Sequence, residues 1–296
     1  DRTLDVSRPV IMGVVNATPD SFSDGGELRD LEQRVARCVE MVEQGASVLD
    51  IGGQSAITGV PEISVDEEID RLVPVVAGLR ATSDVVISVD TYRPEVADAA
   101  LHAGADIIND VSGVLDPSLA SVAARHRAGF VVMHTRWRPK TRADANDLYH
   151  GAGGVVGDVL QFLVERRAAL AEAGLTDDQI VLDPGPDFAK TAAHTVEVLQ
   201  ALPALAALGH PVLLALSRKD FIGVVTGRAP RERLAGTLAA IAWCTERVPH
   251  SILRVHDVRE VRELLDVLDV LDGRRSLDAR SEEHTSELQS PCNLVC

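Results

Sequence analysis

Short apolar runs rich in β-branched residues alternate along the chain with longer amphipathic stretches. The runs at residues 10–15, 48–51, 85–89, 107–108, 130–133, 180–182, 212–216 and 252–255 each predict a strand. Between them the apolar positions follow a helical period, which predicts helices at 31–44, 65–81, 93–103, 119–127, 155–173, 192–208 and 231–245, and a last one at 258–271. Gly45, Gly104, Gly129, Gly174 and Gly209 stand where helices should end and the chain turn back into a strand. This alternation predicts one domain over residues 1–279 folded as a (β/α)8 barrel. An open doubly wound sheet is the rival, but no G-x-G-x-x-G follows the first run.

In such a barrel the chemistry gathers at the C-terminal ends of the strands. The first run leads into Asn16-Ala17-Thr18-Pro19-Asp20-Ser21-Phe22-Ser23-Asp24-Gly25-Gly26, a loop dense in oxygen donors. The later runs end in Asp50 with Gly52-Gly53, Asp90, Asn109-Asp110, His134, Asp183, Ser217-Arg218-Lys219, and Arg254 with His256. A single polar residue there is ordinary turn or cap chemistry, and Asp90 before Thr91 reads equally as a helix N-cap. Polar residues at every strand end predict an active-site rim.

Composition narrows the classes. The 296 residues are 46% apolar and 25% charged, as in ordinary globular domains, and the 3% of aromatics suits helix-on-strand packing of Ala, Val and Leu. The formal charge of −16 speaks against a nucleic-acid surface but leaves an anionic small molecule open, because local cations decide that. No run has the length of a membrane span. Cys38 and Cys244 fall in helical patterns and read as buried apolar residues, which suits a reducing cytoplasm. Cys292 and Cys296 have only His284 nearby and make a poor zinc set. The segment Arg280-Ser281-Glu282-Glu283-His284-Thr285-Ser286-Glu287-Leu288-Gln289-Ser290 reads as a translated sequencing adapter, so residues 280–296 are expected to be an artefactual, disordered tail.

Carboxylates and amides in a narrow barrel favour a flat, polar heterocycle. Asp183 suits an amidine-like N–H pair, Asn109 offers a donor and an acceptor, and Lys219 can donate to a ring carbonyl or nitrogen. Arg254, His256 and Asn16 offer donors and charge for a phosphate or diphosphate. A bound phosphate would recruit Mg2+, for which Asn16 or Asp24 supplies an oxygen.

The blocks at Asn16–Gly26, Asp50-Ile51-Gly52-Gly53, Ser88-Val89-Asp90-Thr91 and Ile108-Asn109-Asp110-Val111-Ser112-Gly113 resemble the signature blocks of dihydropteroate synthases. So do Asp183-Pro184-Gly185, Leu216-Ser217-Arg218-Lys219, Arg233-Leu234-Ala235-Gly236 and Arg254-Val255-His256-Asp257-Val258, and the similarity runs in order over residues 9–272. The resemblance implies condensation of a dihydropterin bearing a CH2 diphosphate with p-aminobenzoate, for folate synthesis. It implies that Asp90, Asn109, Asp183 and Lys219 hold the pterin, and that Asn16, Arg254 and His256 hold the diphosphate, with Mg2+ at Asn16. Asp24, on the first loop, would stabilise the pterin cation left when diphosphate departs; Asp24, Lys219 and Asn16 are the expected catalytic residues. A homodimer with an interface on the late helices is also implied.

Three loops depart from the family pattern. Gly-Gly-Glu-Ser-Thr-Arg-Pro-Gly is usual where this chain has Gly52-Gly53-Gln54-Ser55-Ala56-Ile57-Thr58-Gly59, in the loop that helps bind p-aminobenzoate and sulfonamides. Gly-Phe-Gly-Lys is usual where it has Asp187-Phe188-Ala189-Lys190, and Thr135-Arg136-Trp137-Arg138 is bulkier and more basic than usual. Ser55, Ala56 and Ile57 therefore bear on the second substrate and motivate two alternatives: a pterin-binding homologue without synthase activity, and a synthase with altered acceptor or sulfonamide binding. A pterin-dependent methyltransferase would share the barrel, but Arg254, His256 and the first loop speak against it.

Overall fold

The protein was analysed as a computed structural model, which describes residues 2–17, 31–54, 60–141 and 144–277. Asp24, Ser55, Ala56, Ile57, the C-terminal cysteines and the adapter-like tail lie outside the described residues. The strands are β1 (Val10–Asn16), β2 (Val48–Gly52), β3 (Val86–Asp90), β4 (Ile107–Asp110), β5 (Gly129–Met133), β6 (Ile180–Asp183), β7 (Val212–Leu214) and β8 (Ser251–Val255). All pair in parallel in sequence order, and β8 closes on β1, so the predicted (β/α)8 barrel is present.

The helices of the outer ring are α1 (Leu31–Glu43), α2 (Val65–Arg80), α3 (Pro94–His102), α4 (Ser118–His126), α5 (Gly154–Glu172), α6 (Ala192–Gln200), α7 (Leu202–Ala206), α8 (Asp220–Thr226), α9 (Leu234–Arg247) and α10 (Val258–Leu271). Their starts follow local chemistry. Ser64 caps α2 by accepting from the Glu67 N–H at 3.1 Å, and Asp66, Glu67 and Glu68 place negative charge at the positive end of the helix. Pro94 opens α3 at a position where its missing N–H costs nothing.

The strand alternation builds two separate cores. Leu49, Ile51, Ile87, Val89, Phe130 and Val132 face outward against Leu72, Leu79, Leu119 and Leu163 of the helices. Met12, Val48, Ile107, Val131, Leu213 and Ile252 face inward and form an apolar floor, closed below by Leu4 and Val6. Residues two further along a strand share this inward face. Asp50, Ser88, Asn109, Asp183 and Arg254 are therefore stacked above the floor by parity alone.

Several boundaries differ from expectation. The helix expected over 192–208 breaks at Ala201, because Pro203 cannot donate back into α6, and α7 restarts with that proline in its first turn. The helix expected from 231 begins at Leu234, preceded by a 3-10 turn at Pro230–Glu232. β7 ends at Leu214 rather than 216. The short α8 is absent from the expected elements, because its seven residues are too few to show a helical period. Gly45, Gly104, Gly174 and Gly209 have the expected positive φ, but α4 is closed by Arg127 at φ 54°, and Gly129 opens β5 instead.

Among the described residues, Gly185 is the glycine with least freedom to change. Its φ is +64°, and a Cβ there would lie 2.1 Å from the His134 carbonyl oxygen. Gly185→Ala is expected to lower unfolding free energy by about 3 kcal/mol or more, read as a lower urea midpoint at unchanged slope.

Candidate active site

Four polar residues nominated by sequence are brought together at the rim. Asn16 pairs in register with Gly52, Gly52 with Asp90 and Asp90 with Asn109, so one lateral line crosses β1 to β4. Arg254 reaches this line from β8. Its Nη2 donates to Asp90 Oδ2 at 3.0 Å and its Nε to Asp50 Oδ2 at 2.7 Å.

Asp50 is the hub that sequence reading undervalued. It is fully buried and accepts from Ser88 Oγ at 2.6 Å, Asn109 Nδ2 at 3.0 Å and Arg254. A carboxylate inside the run Val48-Leu49-Asp50-Ile51 was the available signal: it sits in mid-strand on the barrel-facing parity, where no turn explains it. Asn109 is refined in turn. One amide N–H is committed to Asp50, while its Oδ1 is buried with no donor among the described residues. A buried acceptor of this kind calls for a ligand N–H.

Charge is tuned by burial. Asp90 is held up to about 7, chiefly by desolvation, with Arg254 pulling it down and Asp50 pushing it up. Asp183 is raised to about 6 by burial, against the Gly185 N–H at 2.7 Å and the charge of Lys219. Lys219 is lowered by burial and drawn back by Asp187 and Asp183; its Nζ lies 4.5 Å from the centre of the Phe188 ring. Arg254 stays charged, because Asp50 and Asp90 outweigh its desolvation.

His256 is not the cation expected of it. Burial and the charges of Arg218 and Arg254 lower it to about 4, so it is neutral near pH 7. Ser217 Oγ lies 2.9 Å from His256 Nδ1 and accepts from the His256 backbone N–H at 3.4 Å. With the hydroxyl donating to Nδ1, the imidazole proton is assigned to Nε2, a neutral donor for a ligand oxygen.

The other nominees have structural jobs. Asp110 accepts from the N–H groups of Ser112 at 2.8 Å and Val114 at 2.5 Å, shaping the turn after β4. Asp90 is no helix cap, since Arg93 precedes α3. Arg218 pairs with Asp257 at 2.7 Å. His134 and Lys190 form a buried pair: Lys190 Nζ donates to His134 Nδ1 at 2.7 Å and to the carbonyls of Gly185 and Phe188 at 3.0 Å each. Nε2 of His134 then donates to Asp158 at 2.9 Å, and burial beside the ammonium lowers His134 to about 3. This knot ties the loop after β6 to β5. Sequence gave no sign of the pairing, which joins residues 56 apart.

Arg233 explains the block that begins with it. Nη1 donates to the carbonyls of Arg218 at 2.9 Å and Lys219 at 3.1 Å, fixing the backbone that presents Lys219. In the loop after β6, Asp187 and Ala189 hold φ of 65° and 51°, the left-handed conformation for which the usual pattern has glycine. Asp187 gains contacts a glycine lacks, accepting from Thr195 Oγ1 at 3.0 Å and from the Asp220 N–H at 2.5 Å.

Buried acids above an apolar barrel floor, with cations across from them, define an enzyme site for a small polar ring and its anion. The family model described as pterin binding enzyme matches residues 12–256. The dihydropteroate synthase of Bacillus subtilis (strain 168) is 43% identical over 253 residues, covering 85% of each chain. The structure of Xanthomonas albilineans dihydropteroate synthase with 4-aminobenzoic acid is 41% identical, with a TM-score of 0.82 over 91% of this chain and 95% of that one. The Yersinia pestis dihydropteroate synthase in a sulfonamide drug complex is 34% identical, with a TM-score of 0.84 over 91% and 96%. The chain belongs to the dihydropteroate synthase family.

Proposed function

We propose that the protein condenses 6-hydroxymethyl-7,8-dihydropterin diphosphate with p-aminobenzoate to give dihydropteroate and diphosphate. The observation that carries this reading is the direct join between the two halves of the site. Asp90, on the ring-binding side, touches Arg254, on the anion side, at 3.0 Å. A substrate whose flat ring and diphosphate are one CH2 apart spans such a join.

Asp183 accepts from the 2-amino and N3–H pair of the pterin, Asn109 Oδ1 from a further ring N–H, and Lys219 donates to a ring oxygen or nitrogen. Arg254 offers Nη1, and His256 its Nε2–H, to the diphosphate. The CH2–O bond breaks first, and its electron pair leaves with the diphosphate. The aniline nitrogen then attacks the cationic CH2, and the C–N bond forms with loss of one N–H proton to solvent or to the departing anion. Asp24 is assigned to the cation by the family resemblance alone.

Mg2+ fits this donor set as a companion of the diphosphate. Asn16 offers a hard amide oxygen at the end of β1, and Mg2+ is commonly held by one or two protein oxygens together with phosphates and water. The group of His and Asp with ligand spacing among the described residues, Asp98, His102 and His126, lies on α3 and α4 instead. When bound, Mg2+ would neutralise charge developing on the leaving diphosphate.

A homodimer through the late helices belongs to the same reading, supported by exposed Val224 and Val225 on α8, Trp243 on α9, and Val267 and Leu271 on α10. No helix among the described residues is long and apolar enough to cross a membrane, and buried Cys38 and Cys244, with thiols raised to about 12, suit a reducing compartment. Complementation tests the function in cells. The gene should rescue a strain lacking dihydropteroate synthase on medium without folate end products; failure despite soluble expression would favour the pterin-binding homologue without activity.

A further inference from the structure

The outer ring carries a second cluster of chemistry-bearing side chains. His102 is the last residue of α3 and His126 the last of α4, and their rings meet edge to face with centroids 4.6 Å apart. Asp98, one turn before His102, stands with them, and a ligand atom from each of the three lies within 4.8 Å of the other two. Among the described residues this is the one such group of His, Cys, Asp and Glu. The spacing Asp98-x3-His102 puts a carboxylate and an imidazole on one helix face, and α4 supplies the third ligand.

Asp98 Oδ1 accepts from Arg125 Nη2 at 2.9 Å and lies 2.8 Å from His126 Nε2. The bond to His126, and then the one to Arg125, hold the Asp98 carboxyl below its usual range, so it is ionised near neutral pH. Oδ2 accepts no hydrogen bond among the described residues and lies 3.6 Å from His102 Nδ1. His102 Nδ1 donates to the Asp98 backbone carbonyl at 2.8 Å, which leaves the lone pair of that imidazole on Nε2. Two helix C-termini bring the negative ends of their dipoles to this point, which favours a cation. Exposed Glu95, one turn before Asp98, adds negative charge on the same side of α3. Arg125 opposes a metal, but its side chain is 60% exposed and can leave Asp98 for water at little cost.

Two imidazoles and a carboxylate select a divalent first-row transition metal over Mg2+ and Ca2+, which take oxygen ligands. Tetrahedral Zn2+, with bonds of about 2.0–2.1 Å, places its ligands about 3.3 Å apart. Closing this set to that spacing calls for rotation of the His102 ring, whose side chain is 69% exposed. We propose that Asp98, His102 and His126 form a Zn2+ site that clamps α3 to α4, with water as the fourth ligand. Both helices end just before β4 and β5 begin, at the end of the barrel opposite the rim. The site is therefore separate from the Mg2+ position proposed at Asn16, and its role is stability rather than turnover.

The test uses the full chain carrying Cys292→Ser and Cys296→Ser, so that the terminal thiols take no Zn2+. Calorimetric titration should show Zn2+ binding that excess Mg2+ leaves unchanged. His102→Ala and His126→Ala should each weaken it at least tenfold, and Arg125→Ala should tighten it about threefold. Zn2+ at a hundredfold above Kd should raise Tm by about 5 °C in the parent chain and not in the two histidine variants. Circular dichroism identifies any variant that fails to fold. Arg125→Ala removes no ligand, so it reads the site even then, and unchanged or weaker Zn2+ binding there counts against the clamp. No Zn2+ binding by the parent, or equal affinity in the parent and both folded histidine variants, overturns the site.

Discussion

Asp50→Ala is expected to lower the unfolding free energy by about 3–5 kcal/mol and to abolish turnover. The carboxylate is fully buried and has three partners: Ser88, Asn109 and Arg254. Its removal leaves a hydroxyl and an amide without an acceptor above the apolar floor, and leaves the Arg254 guanidinium with Asp90 as its remaining carboxylate among the described residues. A buried guanidinium that loses one of its two carboxylates, beside two buried donors left without an acceptor, costs far more than the lost attraction of an exposed pair, which is why the effect should be this large. Asp50→Asn separates the two consequences. Its amide oxygen can still accept a bond but carries no charge, so folding should recover in part while Arg254 is held less firmly. Urea unfolding followed by circular dichroism reads the stability, and a change below 1 kcal/mol for Asp50→Ala would reject the hub role.

Asp183→Asn is expected to weaken pterin binding by about a hundredfold or more, since it replaces a charged acceptor of two N–H bonds by an amide that offers one oxygen. The wild type should show the same dependence through pH. The carboxylate binds the ring, and its pKa is raised to about 6 in the free protein. Affinity should therefore be constant above about pH 6.5 and fall as pH drops through 6, approaching tenfold per unit below it. Stability of the free protein moves oppositely. Asp90 and Asp183 keep protons in the folded state that the unfolded chain releases near 3.8, so their contribution is fully present below pH 3.8 and is lost as pH rises through about 6 and 7. Calorimetry with a pterin at several pH values checks the first; flat affinity from pH 5 to 8 would remove Asp183 from the ring site.

What the sequence made legible was the periodic part. Strand parity, helix period and glycine punctuation sufficed for the barrel, and the polar residues closing β1, β3, β4 and β6 marked the rim. Asp90, Asn109, Asp183 and Arg254 reached the interior because they share parity with Val86, Ile107, Val181 and Ile252, which face it. What stayed hidden depends on partners far apart in the chain. Asp50 reads as one more acid near a strand end until Arg254, 204 residues away, is seen against it. Lys190 stands in the sequence only as the last residue of an altered loop pattern, yet it is buried on His134. Charge state was equally out of reach: His256 as a sequence element suggests a cation, and its neutral form follows from burial beside Arg218 and Arg254. The break at Ala201 shows the reverse, since Pro203 was visible and the apolar period alone ran across it.

The most direct measurement of the central claim is C–N bond formation itself. Purified protein is mixed with the dihydropterin diphosphate, Mg2+ and p-aminobenzoate, and both products are followed by mass spectrometry and a diphosphate assay. The site described here predicts dihydropteroate and diphosphate in equal amounts, with diphosphate release slow until p-aminobenzoate is added. Pterin binding without dihydropteroate, from p-aminobenzoate or any other aniline, would contradict it.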